Sequence, residues 1–246
     1  MTNTVQYSFK RYEKKYFLTP LQKMLLLDGM RSYIKEDDYG KYTVCNIYYD
    51  TPDWRLIRES VEKPVYKEKL RVRSYGVPEC QGKVFAELKK KYKGVVYKRR
   101  ITCGANEAND ILTEKKSLAC FGQIGNEIEW FRNFYCPEPK MFIGYDRIAF
   151  SGTEDSELRI TFDTNMRWRT YDTDLLLGDA GEPILPEQDK ILMEIKIPGV
   201  CPLWLSRLLS ETGVFPCSFS KYGFCYTEYI LKSQQKQTKK EAHICA

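Results

Sequence analysis

Lys67 and Lys69, Arg71 and Arg73, Lys89 and Lys91, and Lys98 and Arg100 stand in pairs two residues apart. In an extended strand that spacing puts both side chains of a pair on one face. Arginine presents a planar fork to phosphate oxygens and lysine a mobile point charge, so such rows suit a phosphate chain. Arg11, Lys15, Arg147, Arg159 and Lys196 fall into the same alternation, and a smaller set of carboxylates, Glu13, Glu87, Asp163 and Glu194, shares their faces. These acids have two readings. Most would pair with neighbouring cations and hold them in place, and at least one could bind a divalent ion, because Mg2+ or Mn2+ on phosphates commonly uses one or two carboxylates. No GxxxxGK[ST] is present, which excludes a P-loop, and the single histidine, His243, lies in a polar tail, which argues against a catalytic imidazole.

The elements that must position these residues are strands. Tyr7–Tyr16, Lys41–Asp50, Val65–Tyr75, Lys83–Lys91, Val95–Arg100 after a turn at Gly94, Lys140–Phe150, Leu158–Asp163 and Ile191–Ile197 alternate with period two. Leu158, Ile160 and Phe162 oppose Arg159, Thr161 and Asp163, and Met193, Ile195 and Ile197 oppose Glu194 and Lys196. Helices punctuate the strands. Thr19-Pro-Leu-Gln22 reads as a capping box with proline at the first helical position, a short helix is expected over about Asp53–Glu62, and Ile128, Phe131 and Tyr135 form an apolar stripe. A helix near Pro202–Glu211 capped by Gly213, and another opened by Ser220, close the ordered chain.

The chain has 246 residues and a net charge of +6, enough length for a large core and enough positive charge to suggest an anionic partner. Its nine cysteines form no CxxC pair, so zinc is not expected and a reducing compartment fits. No stretch has the length of a membrane span or a signal-peptide core, which makes a cytoplasmic protein the default. No repeat or linker divides the sequence, so residues 1–232 read as one domain and 233–246 as a polar, disordered tail.

Strands with few breaks invite closure, which removes exposed edges. The expected fold is therefore α+β: a closed antiparallel eight-stranded β-barrel with a charged interior, covered outside by helices whose apolar stripes pack on the apolar strand faces. A dry core would not tolerate such an interior, because an unpaired buried charge costs several kcal/mol, on the order of 3–5. A polyanion is the expected occupant.

On these segments the chain resembles the CYTH-like triphosphate tunnel metalloenzymes, and within them the polyphosphate polymerase domain of the vacuolar transporter chaperone (VTC) proteins. The resemblance covers roughly Phe9 to Tyr222 and is carried by Arg11-Tyr-Glu-Lys-Lys-Tyr16, Tyr48-Tyr-Asp-Thr51, Leu70-Arg-Val-Arg-Ser-Tyr75, Glu87-Leu-Lys89 with Lys98-Arg-Arg100, Tyr145-Asp-Arg147, Leu158-Arg-Ile-Thr-Phe-Asp163, Glu194-Ile-Lys196 and Ser220-Lys-Tyr222. Tunnel hydrolases usually open with an ExExK strand. Arg11 at the first of those positions departs from it and favours the polymerase branch. The resemblance implies transfer of the γ-phosphoryl group of ATP to an inorganic polyphosphate chain with release of ADP, assisted by Mn2+ or Mg2+. It implies catalytic roles for Arg71, Arg73, Lys89, Arg147 and Arg159 on the phosphate chain and transition-state charge. Further phosphate ligands would be Arg11, Lys15, Lys69, Lys91, Lys98, Arg100, Tyr145, Lys196, Ser220 and Lys221; metal ligands would be Glu194 first, then Asp163 and Glu13. ATP and polyphosphate are the implied partners, with no nucleic acid and with room for a separate membrane partner.

Three rivals remain. Hydrolysis of tripolyphosphate or a nucleoside triphosphate keeps the fold and changes the acceptor to water. A non-catalytic polyphosphate binder would need no Glu194. A single-strand RNA binder would expose its basic strands and put its aromatics on the basic face.

Overall fold

The structure is a computed structural model, and it describes residues 12–93, 95–114 and 117–235. Arg11, the Gly94 turn and His243 lie outside the described residues. The strands are β1 (Tyr12–Leu18), β2 (Ile34–Asp50), β3 (Tyr66–Tyr75), β4 (Lys83–Tyr92), β5 (Val95–Gly104), β6 (Glu138–Gly152), β7 (Arg159–Arg169), β8 (Glu182–Pro183) and β9 (Ile191–Ile197). The helices are α1 (Pro20–Met30), α2 (Arg55–Val61), α3 (Ala108–Thr113), α4 (Gly122–Tyr135), α5 (Leu203–Glu211) and α6 (Lys221–Cys225), the last running into a π-helical turn, Tyr226–Leu231. No described helix is long and apolar enough to cross a membrane.

The strands form one antiparallel sheet in the order β1-β9-β7-β6-β2-β3-β4-β5, with β8 added beside β7. This corrects the closed eight-stranded barrel expected from the sequence. The sheet has nine strands and stays open, because β1 and β5 are its edges and share no hydrogen-bond ladder. The need to remove free edges argues for closure, but here the edges are protected by other means. The Cys217 N–H donates to the Lys15 carbonyl at 2.7 Å along β1, and β5 carries Lys98, Arg99 and Arg100, charges that discourage edge pairing.

The sheet is nevertheless strongly curled. Glu13 on β1 reaches to 3.9 Å from Lys89 on β4, although five strands stand between them in the sheet order. Apolar residues of the convex face divide between two clusters. In one, Leu70, Val72, Ala86, Leu88 and Ile101 pack against Leu112 of α3 and Ile128 and Phe131 of α4. In the other, Leu18, Ile160, Phe162, Met193 and Ile195 pack against Leu26 and Met30 of α1 and Leu205 and Leu209 of α5. Helices do not stay on the outside alone. Tyr222, Cys225 and Tyr226 join Val44, Met141, Ile143, Tyr145 and Leu192, so that α6 and the turn after it close one end of the concave side.

Local signals set several of these elements. The Thr19 hydroxyl accepts the Gln22 N–H at 3.2 Å and the Gln22 side chain accepts the Thr19 N–H at 3.0 Å, a complete capping box at the start of α1. Asp50, fully buried, ends β2 and accepts the N–H groups of Thr51, Leu56 and Ile57 at 2.8–2.9 Å, together with the Tyr222 hydroxyl at 2.9 Å. One carboxylate thus fastens both α2 and α6 to the sheet. Leaving buried donors without an acceptor costs about 1–3 kcal/mol each. Asp50→Ala is expected to lower stability by about 2–4 kcal/mol, read as a lower urea midpoint at unchanged m-value.

Candidate functional site

The concave face gathers the charged alternation. Three carboxylates organise it. Glu87 on β4 accepts Nε and Nη2 of Arg71 at 2.9 and 2.7 Å, lies 2.6 Å from the Lys98 ammonium and stands 4.0 Å from Arg73. Burial alone would raise its pKa, but Arg71, Arg73 and Lys98 outweigh it and bring the value down to about 2. Asp163 on β7, with no exposed surface, takes both prongs of Arg147 at 2.6 and 2.8 Å and Lys221 at 2.5 Å. Glu194 on β9 is 3.0 Å from Lys196 and 3.9 Å from Lys15. Burial works against its charge too, yet Lys196, Lys15, Arg147 and Lys221 hold it well below the usual carboxylate range.

Neutral groups orient the arginines further. Arg71 donates to the Tyr48 hydroxyl at 3.1 Å, and Arg73 donates to Asn46 at 2.9 Å and to the Tyr145 hydroxyl at 3.2 Å. Burial raises the Tyr145 pKa, but Arg147 and Arg73 prevail and draw it down to about 8. The ammonium of Lys221 also sits 4.1 Å above the Tyr145 ring. Lys221 enters the concave face because Ser220 caps α6, its hydroxyl accepting the Gly223 N–H at 3.2 Å.

Compensation by carboxylates is uneven across the face. Lys69 donates to the Ser220 hydroxyl at 3.3 Å, and its charged neighbours of consequence are Lys67, Lys89, Lys15 and Arg71. Burial first, and these cations second, press its pKa down to about 7. Lys98 is lowered to about 8, because partial desolvation outweighs Glu87 although its side chain keeps 43% of its surface exposed. Lys89 is lowered by burial, with Glu13 as its ion-pair partner.

The structure therefore brings together Lys15, Lys69, Arg71, Arg73, Lys89, Lys98, Tyr145, Arg147, Lys196, Ser220 and Lys221 with Glu13, Asp163 and Glu194. Lys91 stands opposite Lys67 in the β3–β4 register, toward the end of the same face. Arg100 is exposed, with its guanidinium 4.5 Å from the Phe85 ring centroid. Arg159, half-exposed, stands opposite Lys196 in the β7–β9 register and pairs at 2.5 Å with Asp37 from the bulge where β2 slips register between Glu36 and Lys41. Arg11 lies outside the described residues.

Sequence reasoning passed over Asn46, Tyr48 and Asp37 as site residues. A signal existed for the first two: in a strand otherwise aromatic and β-branched, Asn46, Tyr48 and Asp50 fall on one face by period two. Asp37 reaches Arg159 only through the bulge, which alternation does not reveal.

Among the described residues no group of three or more His, Cys, Asp or Glu side chains is arranged to hold a metal ion. Both Asp163 oxygens are taken by cations, whereas Glu194 is more loosely paired on its Lys15 side. A single carboxylate with phosphate oxygens suffices for Mg2+ or Mn2+, so Glu194 fits an ion that arrives with its phosphates.

An anion beside Lys69 and Lys98 restores their protons. Tripolyphosphate binding at pH 8, followed by calorimetry in two buffers of different ionisation heat, is expected to show up to about one more proton taken up by the wild type than by Lys69→Met, the lysine having an ordinary pKa of about 10.4 in water.

Among curated proteins no significant match was found. Among solved structures, a putative adenylyl cyclase from Hippeastrum, described as having a dominant triphosphatase activity, is 16% identical with a TM-score of 0.50, over 85% of this chain and 92% of that one. A putative adenylate cyclase from Vibrio parahaemolyticus is 13% identical with a TM-score of 0.48, over 89% of this chain and 98% of that one. The Hippeastrum likeness speaks for shared architecture alone. The VTC domain model matches residues 10–229, the whole curled sheet and the helix that carries Lys221, and the chain belongs to the VTC domain family.

Proposed function

We propose that the protein is a polyphosphate polymerase that transfers the γ-phosphoryl group of ATP to the end of an inorganic polyphosphate chain. The observation that carries this reading is the charge imbalance around Lys69: a half-buried ammonium with its pKa pressed to about 7, among lysines and arginines, beside carboxylates already engaged by other cations. Such a face is completed by a polyanion.

The terminal phosphate oxygen of the chain attacks the γ-phosphorus, the bond from that phosphorus to the β,γ-bridging oxygen breaks, and ADP leaves. An ionised phosphate oxygen needs no general base, which suits a face without histidine among the described residues. Catalysis then rests on positioning and on charge stabilisation. Arg71, Arg73, Arg147 and Lys221 would grip the phosphates, each already oriented by a fixed acceptor. Glu194 would hold a divalent ion, which when bound neutralises charge on the phosphate oxygens.

Hydrolysis is the second reading, supported by the triphosphatase activity described for the Hippeastrum protein of like fold. Incubation with ATP and Mg2+ or Mn2+, resolved on a gel, separates the two: long chains with ADP support the polymerase, and orthophosphate without chains supports the hydrolase. Retained polyphosphate binding with inert ATP would leave only a binder. Arg73→Ala leaves Glu87 its pairs with Arg71 and Lys98, so it is expected to fold and to lower kcat by about 10²–10³-fold.

A further inference from the structure

A row of aromatic rings at one mouth of the concave face has no role in this chemistry so far. Tyr75 continues the Lys69, Arg71, Arg73 series by the same two-residue step, Phe85 stands opposite Arg73, and Tyr42 stands opposite Arg147. The ring centroids follow one another from Tyr39 to Tyr42 at 6.5 Å, Tyr42 to Tyr75 at 5.8 Å and Tyr75 to Phe85 at 5.8 Å, each pair edge to face. The Arg100 guanidinium closes the row over Phe85. Two of these rings are exposed, Tyr39 at 84% and Tyr75 at 52%, and Tyr42 and Phe85 are half-buried beside them, whereas Tyr145, next inward, is buried.

The row is continuous with the phosphate grip. Tyr75 lies two residues, about 6–7 Å along the strand, from Arg73. Tyr42 lies within electrostatic reach of both Arg147 and Tyr145. A triphosphate seated on Arg73 and Arg147 with its γ-phosphate inward therefore carries its sugar and base outward across the rings. We infer that the Tyr42–Tyr75–Phe85 row is a stacking platform for the base of the incoming nucleoside triphosphate. This deepens the polyphosphate reading and rests on it. Because every base has a π-face, the platform raises affinity without separating adenine from guanine.

The test compares ATP with ribose 5-triphosphate, which differs only by lacking the base, in metal-free calorimetric titrations of wild type, Tyr75→Ala and Tyr75→Phe. Stacking on aromatics contributes enough for the wild type to bind ATP about tenfold more tightly or better. Tyr75→Ala is expected to erase that advantage while leaving ribose 5-triphosphate within about twofold, and Tyr75→Phe to keep it. Binding of ribose 5-triphosphate with no ATP advantage in the wild type overturns the platform and leaves the phosphate reading standing. So does equal weakening of both ligands by Tyr75→Ala with full rescue in neither variant. Failure of the wild type to bind either ligand brings down both.

Discussion

The structure depends on how many desolvated cations one concave face can hold. Placing a charge away from water is costly unless it is paired, and truncating one partner of a buried pair typically costs about 3–5 kcal/mol. The chain meets that cost with three carboxylates set on three different strands, β4, β7 and β9. Each draws two or more cations toward itself, and together they fix the arginine forks in place. The compensation is incomplete by design of the sequence, since Lys69 is left with cationic neighbours. A face with full compensation would carry no excess charge; this one keeps positive charge that no carboxylate offsets.

Much of this was legible in the residues. The period-two rows placed Arg71, Arg73, Lys89, Lys98 and Arg147 on the face where they are found, and Thr19-Pro-Leu-Gln22 marked the start of α1. The path of the sheet was not legible in the same way. Alternation tells which side of a strand a residue occupies, but closure depends on whether two distant edges meet within hydrogen-bond range, and that is set by twist and by what else covers an edge. A backbone bridge from Cys217 occupies the β1 edge, a contact between residues some two hundred apart in the chain that no local pattern announces. The same limit hid the Asp37–Arg159 pair, which follows from a bulge in β2.

The end of the concave side is equally a matter of long-range fastening. Tyr48 accepts from Arg71 and stacks on Tyr222 at 4.4 Å between centroids, and Tyr222 in turn donates to Asp50. The helix that delivers Ser220 and Lys221 is therefore braced against the same strand that orients Arg71. Position along the sequence separates these parts widely, whereas the hydrogen bonds make them one unit.

The open seam of the sheet has a mechanical meaning. No ladder of backbone hydrogen bonds joins its two margins, and among the described residues the Glu13–Lys89 ion pair links β1 to β4 across the gap. The segment that follows α5 ties the same two sides, since Cys217 pairs with Lys15 of β1 while Ser220 accepts from Lys69 of β3 and Tyr222 donates to Asp50 of β2. The seam is therefore held by side chains and one helix, where a sealed cylinder would be held by a ladder of backbone bonds.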